Sequence, residues 1–151
     1  MGAYRSDNPT VTLGVVQIVS LSVYHLVYRT NRAGELVLEI AVEHHDNYVS
    51  CRPIGELDAY TVAQFRESLT QLSEHRFILV DLSDVPFMDS AGLGALIGGI
   101  RRARENEGDV SVACNRPALT RLLHTTGFDR IVPVCETIEE AVEALTNPNS
   151  D

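Results

Sequence analysis

The chain has 151 residues, 44% of them apolar and 22% charged, with a formal net charge of −9. That length supports one domain with a real hydrophobic core, and the composition is that of an ordinary soluble globular protein. All twelve basic residues are arginine: three stand against one acid in residues 1–33, and nine stand against twenty acids in the rest. An acidic body disfavours binding to a phosphate backbone, whose affinity comes mostly from cationic contacts. It suits a protein partner with a basic face.

Val11 to Tyr28 is uncharged apart from His25 and rich in Val, Leu, Ile, Ser and Tyr. It is short for a comfortable membrane span and carries polar residues, and it lacks the flanks of a signal peptide. Val15 to Val23 is β-branched and partly alternating, which reads as an extra strand or a loosely docked arm. Disorder or an over-early start codon is the next reading, and a membrane anchor the last. Such an arm could mediate self-association by strand addition, giving a homodimer.

From Gly34 the punctuation is clear. Glu35 to Glu43 alternates as a strand, His44-His45-Asp46-Asn47 reads as a turn, and Tyr48 to Ile54 is a second strand, the two forming a hairpin. Pro53 has no N–H to give and belongs at an edge or at the strand's end. Gly55-Glu56-Leu57-Asp58 leads into a helix from about Tyr60 to Ser73, with Val62, Phe65, Leu69 and Leu72 on one face and Asp58 or Thr61 as its cap. Phe77 to Leu82 is a buried-looking strand. Phe87 to Gly94 leads from it into a helix with Leu93, Leu96, Ile97 and Ile100 on one face, running to about Glu105. Gly108 ends that helix. Asp109 to Ala113 is a strand, Arg116-Pro117 opens a helix that Thr125-Thr126-Gly127 closes, and Ile131 to Val134 is a short strand. Thr137 and Glu140 read as a capping box for a last helix with Ile138, Ala141, Val142 and Leu145 inward. A polar tail follows. The expected organisation is an N-terminal extension over residues 1–33, a domain over 34–146 and a tail over 147–151.

The order β-β-α-β-α-β-α-β-α specifies an α/β domain with a mostly parallel sheet and an antiparallel edge supplied by the hairpin. Functional loops gather at the carboxyl ends of such strands. Asp58 and Ser90 both lie between a strand and a helix, so they belong on one rim.

Ser90 can be read as a plain helix N-cap or as an accessible hydroxyl for phosphorylation, which would add a charge of roughly −2. Each interior glycine costs a helix about 1 kcal/mol relative to alanine. Tight packing is the reading for Gly98 and Gly99, and partner approach for Gly92 and Gly94. Arg101, Arg102 and Arg104 read as a solvated face that complements the helix dipole. Cys51, Cys114 and Cys135 lack zinc spacing and read as reduced thiols, with a disulfide between two of them left open. His44-His45 reads as a lone doublet. No metal site and no cofactor is expected. Ser90 lacks a G-x-S-x-G elbow and no motif places a His/Asp pair, which argues against a hydrolase. Gly92-Leu93-Gly94 lacks the third spaced glycine of a dinucleotide site. The chain is therefore not expected to be an enzyme.

Phe87-Met88-Asp89-Ser90-Ala91-Gly92-Leu93, with Gly55-Glu56-Leu57-Asp58 upstream, resembles the anti-sigma factor antagonists of bacteria, small STAS-domain proteins. Asn115-Arg116-Pro117 and Thr125-Thr126-Gly127-Phe128 reinforce the likeness, which covers about residues 34–146. The resemblance implies a STAS-like sheet of mixed parallel and antiparallel strands with about four helices, plus the N-terminal strand or arm. It implies a cytoplasmic regulator of transcription with no membrane span and no direct contact to nucleic acid. Its partners would be an anti-sigma factor that is also an ATP-dependent serine kinase, and a serine phosphatase. The unphosphorylated form would bind the kinase and the phosphorylated form would let go. Carried over, Ser90 is the phospho-acceptor, and Asp58, Asp89, Ser90, Ala91, Gly92, Leu93 and Gly94 form the partner-binding rim. Ala91 stands where a second hydroxyl often follows the acceptor. The alternative roles are a STAS scaffold subunit of a signalling assembly and a regulatory STAS subunit of a membrane transport system.

Overall fold

The computed structural model of the chain describes residues 15–20, 24–30 and 32–147. The start of the expected extension and the polar tail beyond Asn147 lie outside the described residues. The elements are β1 (Val15–Ser20), β2 (Tyr24–Thr30), β3 (Leu36–His44), β4 (Val49–Ile54), α1 (Val62–Leu72), β5 (Phe77–Asp81), α2 (Ser90–Glu105), β6 (Asp109–Ala113), α3 (Pro117–Thr125), a 3-10 turn (Phe128–Arg130), β7 (Val134–Cys135) and α4 (Ile138–Thr146).

One seven-stranded sheet runs β1-β2-β3-β4-β5-β6-β7. The pairs from β1 to β4 are antiparallel and those from β4 to β7 parallel. From β3 onward this is the expected order. The extension differs: it supplies two strands rather than one, and β2 pairs along β3 with Val27 opposite Ile40. The β3–β4 hairpin is therefore interior and β1 forms the sheet's edge. Pro53 lies opposite Ile40 of β3, beyond the last residue of β4 that pairs with β5, so its missing donor breaks no parallel ladder.

The alternation of β3 and β4 sends Leu38, Ile40, Val42, Val49 and Cys51 into the main core, where they meet Phe65 and Leu69 of α1, Leu96 and Ile100 of α2, and Leu119 and Leu123 of α3. A smaller cluster on the other face joins Leu79 and Ala113 of the sheet to Ala141 and Leu145 of α4. The buried Ser111 hydroxyl donates to the Ala141 carbonyl at 2.8 Å, so this polar group is satisfied while it ties β6 to α4. Thr137 caps α4 as expected, its hydroxyl accepting from the Glu140 N–H.

Two boundaries and one packing expectation depart from the sequence reading. The last strand is Val134–Cys135, not Ile131 to Val134: the chain makes a 3-10 turn first, and Val132 is buried in the main core as loop. A short apolar run fits a buried loop as well as a strand. The left-handed residue after α2 is Glu107, at φ 64°, rather than Gly108. Gly108 is held small instead by the Arg76 carbonyl oxygen, which would stand 2.6 Å from a Cβ there. Of the glycine pair in α2, Gly99 packs against Leu69 of α1, whereas Gly98 faces no part of another element within 4 Å.

Candidate functional site

Two loops at the carboxyl ends of β4 and β5 are joined edge to edge. The Gly55 N–H donates to the Asp84 carbonyl at 3.1 Å, the Leu57 N–H to the Phe87 carbonyl at 3.0 Å, and the Asp89 N–H to the Leu57 carbonyl at 3.1 Å. Leu57 and Met88 thereby form a parallel bridge, and Arg52 closes the unit with an ion pair to Asp84. Gly55 begins the first loop at φ 128°, a conformation that favours glycine. The common rim expected for Asp58 and Ser90 is present.

Asp58 acts first as a turn residue. Its Oδ1 accepts from the Tyr60 N–H at 2.9 Å and the Thr61 N–H at 3.2 Å. Its own N–H donates to the Thr61 hydroxyl at 3.1 Å, and that hydroxyl donates to the Glu56 carbonyl at 2.7 Å. Thr61 holds the N-cap position of α1 without bonding a helix amide through its side chain.

The cap of α2 is Asp89, which corrects the reading of Ser90 as N-cap. Asp89 has extended backbone (φ −104°, ψ −170°), and its Oδ1 accepts from the Ala91 N–H at 2.9 Å and the Gly92 N–H at 3.2 Å. Ser90 is the first helical residue, exposed, and its hydroxyl bonds to no described residue. An aspartate one position upstream reaches the second and third helical amides, the geometry an N-cap side chain requires. Asp58 and Asp89 thus both engage Oδ1 with backbone amides, which leaves Oδ2 of each without a partner among the described residues.

The remaining residues of the motif divide by face. Ala91 and Leu93 are half-buried against the core, Gly92 is buried, and Gly94 is exposed with nothing within 4 Å of a Cβ. Gly92 is small because of its own chain rather than because of a partner: a Cβ there would come within 2.7 Å of both the Leu57 carbonyl oxygen and Met88 Cγ. Two neighbours were missed as surface residues. Tyr60 is 86% and Phe87 49% exposed, although apolar spacing alone assigns such residues inward.

The other groups singled out in the sequence lie elsewhere. Arg104 is not simply solvated: it pairs with Asp109 at 3.3 Å and donates to the Ile131 carbonyl at 2.7 Å. Arg102 is half-buried, with its Nε and Nη2 shielded from solvent. The histidine doublet is not alone, since His75 lies 5.3 Å from His44, ring to ring, and His45 stacks on Tyr48 at 4.2 Å. Burial first, then Glu43 and Glu139, raise the Tyr48 pKa. No group of three or more His, Cys, Asp or Glu among the described residues is arranged to hold a metal. A His/Asp pair does form, His124 Nδ1 to Asp129 Oδ2 at 2.8 Å, but Ser90 is not hydrogen-bonded to it. All three cysteines are free, which closes the disulfide question for this structure. Burial pushes the Cys51 thiol up to about 12; burial and then Glu140 push Cys135 up.

A mixed sheet with three parallel crossover helices packed in one core, and a rim of fixed carboxylates beside one exposed serine, defines a small α/β module. Residues 39–141 match the STAS domain family, and the chain belongs to that family as one of its anti-sigma factor antagonists. It is 32% identical to the anti-sigma F factor antagonist of Paenibacillus polymyxa over 112 residues, 72% of this chain and 93% of that one. It is 32% identical to the anti-sigma-B factor antagonist of Staphylococcus aureus over 104 residues, 68% of this chain and 96% of that one. The crystal structure of an anti-sigma factor antagonist from Mycobacterium paratuberculosis superposes with a TM-score of 0.68 at 27% identity, covering 73% of this chain and 95% of that one. No helix among the described residues is long and apolar enough to cross a membrane.

Proposed function

We propose that this chain acts as an anti-sigma factor antagonist whose binding is switched at Ser90. Unphosphorylated, it binds an anti-sigma factor that is also a serine kinase and so frees a sigma factor. Phosphorylation of Ser90 by that kinase releases it, and a serine phosphatase resets it. The functional unit is residues 34–146, in the cytoplasm, and residues 1–33 add a hairpin through which a second copy pairs along β1.

The observation that carries this reading is the division of labour at the start of α2. Asp89 does the capping, so the Ser90 hydroxyl is exposed and structurally unemployed. A kinase can take that hydroxyl without breaking a bond the fold needs. The helix N-terminus favours an added anion by about 0.3–1 kcal/mol. The nearest amides already bond to Asp89, so the phosphate points out toward the partner. It adds a charge of roughly −1.5 to −2 next to two fixed carboxylates. Like charge placed in a docked surface costs several kcal/mol, and about 1.4 kcal/mol is a tenfold change in affinity. Binding is lost while the fold stays.

The test is incubation with purified kinase-type anti-sigma factors and ATP, followed by intact mass and affinity for wild type, Ser90→Ala and Ser90→Glu. One phosphate on wild type, none on Ser90→Ala, and weak binding by Ser90→Glu are expected. No phosphate on wild type and equal binding by all three would falsify the switch. The added β1–β2 hairpin is the one feature that favours a scaffold subunit instead. In that role all three proteins bind an assembly partner equally well.

A further inference from the structure

The large exposed hydrophobic residues among those described are Tyr60, Phe87, Ile131 and Ile138. Two of the four belong to the joined loops of the rim. Tyr60 is 86% exposed, and its N–H is fixed to Asp58 Oδ1 at 2.9 Å. Phe87 is 49% exposed, and its carbonyl is fixed by the Leu57 N–H at 3.0 Å. Phe87 precedes Ser90 by three residues. Tyr60 follows Leu57 by three, and the Leu57 carbonyl accepts the N–H of Asp89, the residue beside Ser90. Both aromatic residues therefore project from the backbone unit that presents the serine.

We infer that Tyr60 and Phe87 are the apolar anchors of the partner interface. This rests on the reading above, that the rim docks a kinase-type anti-sigma factor. Interface energy concentrates in a few aromatic side chains, and anchors on a preorganised backbone bind with less ordering cost. The surroundings specify the partner's face. Glu56 is exposed, and Asp58 and Asp89 are half-exposed on the same two loops, while Asp84 beside them is paired with Arg52. The complement is an apolar pocket with a basic border. The charged border steers the encounter and sets specificity, and the aromatic pair holds the complex. Gly94, exposed with open space around it one turn along α2, leaves room for partner backbone to come close. A phosphate on Ser90 then arrives inside the anchored area, where the partner cannot avoid it by a small shift.

The experiment measures the affinity of unphosphorylated wild type, Tyr60→Ala, Phe87→Ala, Phe87→Leu and Ile131→Ala for each purified kinase-type anti-sigma factor with ADP. Thermal melts accompany the titrations. Tyr60→Ala and Phe87→Ala should each bind at least tenfold more weakly, Phe87→Leu less so, and Ile131→Ala within twofold of wild type. Tyr60 is exposed enough that its truncation leaves the core intact, so this variant decides even if Phe87→Ala melts early. Binding within twofold of wild type by Tyr60→Ala and Phe87→Leu overturns the inference while leaving the phosphorylation reading standing. So does an equal loss in Ile131→Ala, which moves the interface away from the joined loops toward Ile131. Failure of wild type to bind any of the partners overturns both.

Discussion

Gly92 sits so close beneath Leu57 that a Cβ on it would stand 2.7 Å from the Leu57 carbonyl oxygen and 2.9 Å from the Leu57 Cβ. The helix that begins with Ser90 can therefore meet the Gly55–Asp58 loop only through a glycine. Gly92→Ala should lower stability by about 1–3 kcal/mol, because the atom it strikes is backbone and cannot rotate away. Gly94, two residues on, has nothing within 4 Å of a Cβ and no positive φ, so Gly94→Ala should raise stability by up to about 1 kcal/mol. Urea titration of both variants checks the pair, and opposite signs are expected. Since the fold gains from a methyl at Gly94, any loss of partner affinity in that variant must come from the partner side.

Asp89→Ala should cost about 1 kcal/mol by removing the cap of α2, while Asp89→Asn keeps most of it, because an Asn side chain accepts the same two amides. The Asn variant separates shape from charge. Its unphosphorylated form should bind the partner close to wild type. Its phosphorylated form should retain more binding than phosphorylated wild type, since one of the charges beside the phosphate is gone. Calorimetric titration of the four species reads this directly, and equal release in both phosphorylated forms would remove Asp89 from the electrostatic account.

The serine-versus-aspartate assignment shows where sequence reasoning reached its limit. Asp and Ser are both good caps, and they stand side by side at residues 89 and 90, so the pattern cannot choose between them. The choice is made by the bridge between Leu57 and Met88, which fixes Asp89 in extended backbone. From Gly34 to α4 the element order was legible because the apolar period changes at each turn signal. β2 was not separated from β1 because the intervening Leu21-Ser22-Val23 carries no Gly, Pro, Asn or Asp, and a lone serine between apolar residues is a weak turn signal. The exposure of Tyr60 and Phe87 was not legible, because it depends on which loops meet.

Cys51 gives the chain an alkaline liability. Its thiol is pushed from 9.0 up to about 12 by burial in the native core. Above pH 9 the unfolded chain loses this proton while the native state keeps it, so the unfolded state binds fewer protons and stability falls as pH rises. The contribution is fully present below pH 9. On the order of 1 kcal/mol of it is gone by pH 10, and the decline continues toward pH 12. Cys135, raised in the same direction, adds to the slope. Cys51→Val, which fills a similar volume and cannot ionise, should flatten the curve between pH 8 and 10. Unfolding titrations across that range, on wild type and variant, make the comparison. Parallel curves would show that the native thiol ionises with the unfolded one.

The sheet's edge strand β1, Val-Val-Gln-Ile-Val-Ser, pairs with β2 and with no other described strand. It contains no charge and no proline, the devices that normally stop an edge from adding another strand. Antiparallel pairing of two such edges about a two-fold axis is self-complementary and closes at a dimer. The full chain is therefore expected to elute as a dimer with a matching mass by light scattering. Ile18→Lys places a charge in the edge strand and should give a monomer with the same melting temperature, because β2 still covers β3. Removal of residues 1–33 should also give a monomer, now with β3 as the edge, guarded by Glu35, Glu39 and Glu43 on or beside that strand. Partner binding should survive in both, since the rim lies on the loops after β4 and β5. A full chain that is already monomeric at high concentration sinks the strand-pairing role, and a dimer that persists after Ile18→Lys moves the interface away from β1.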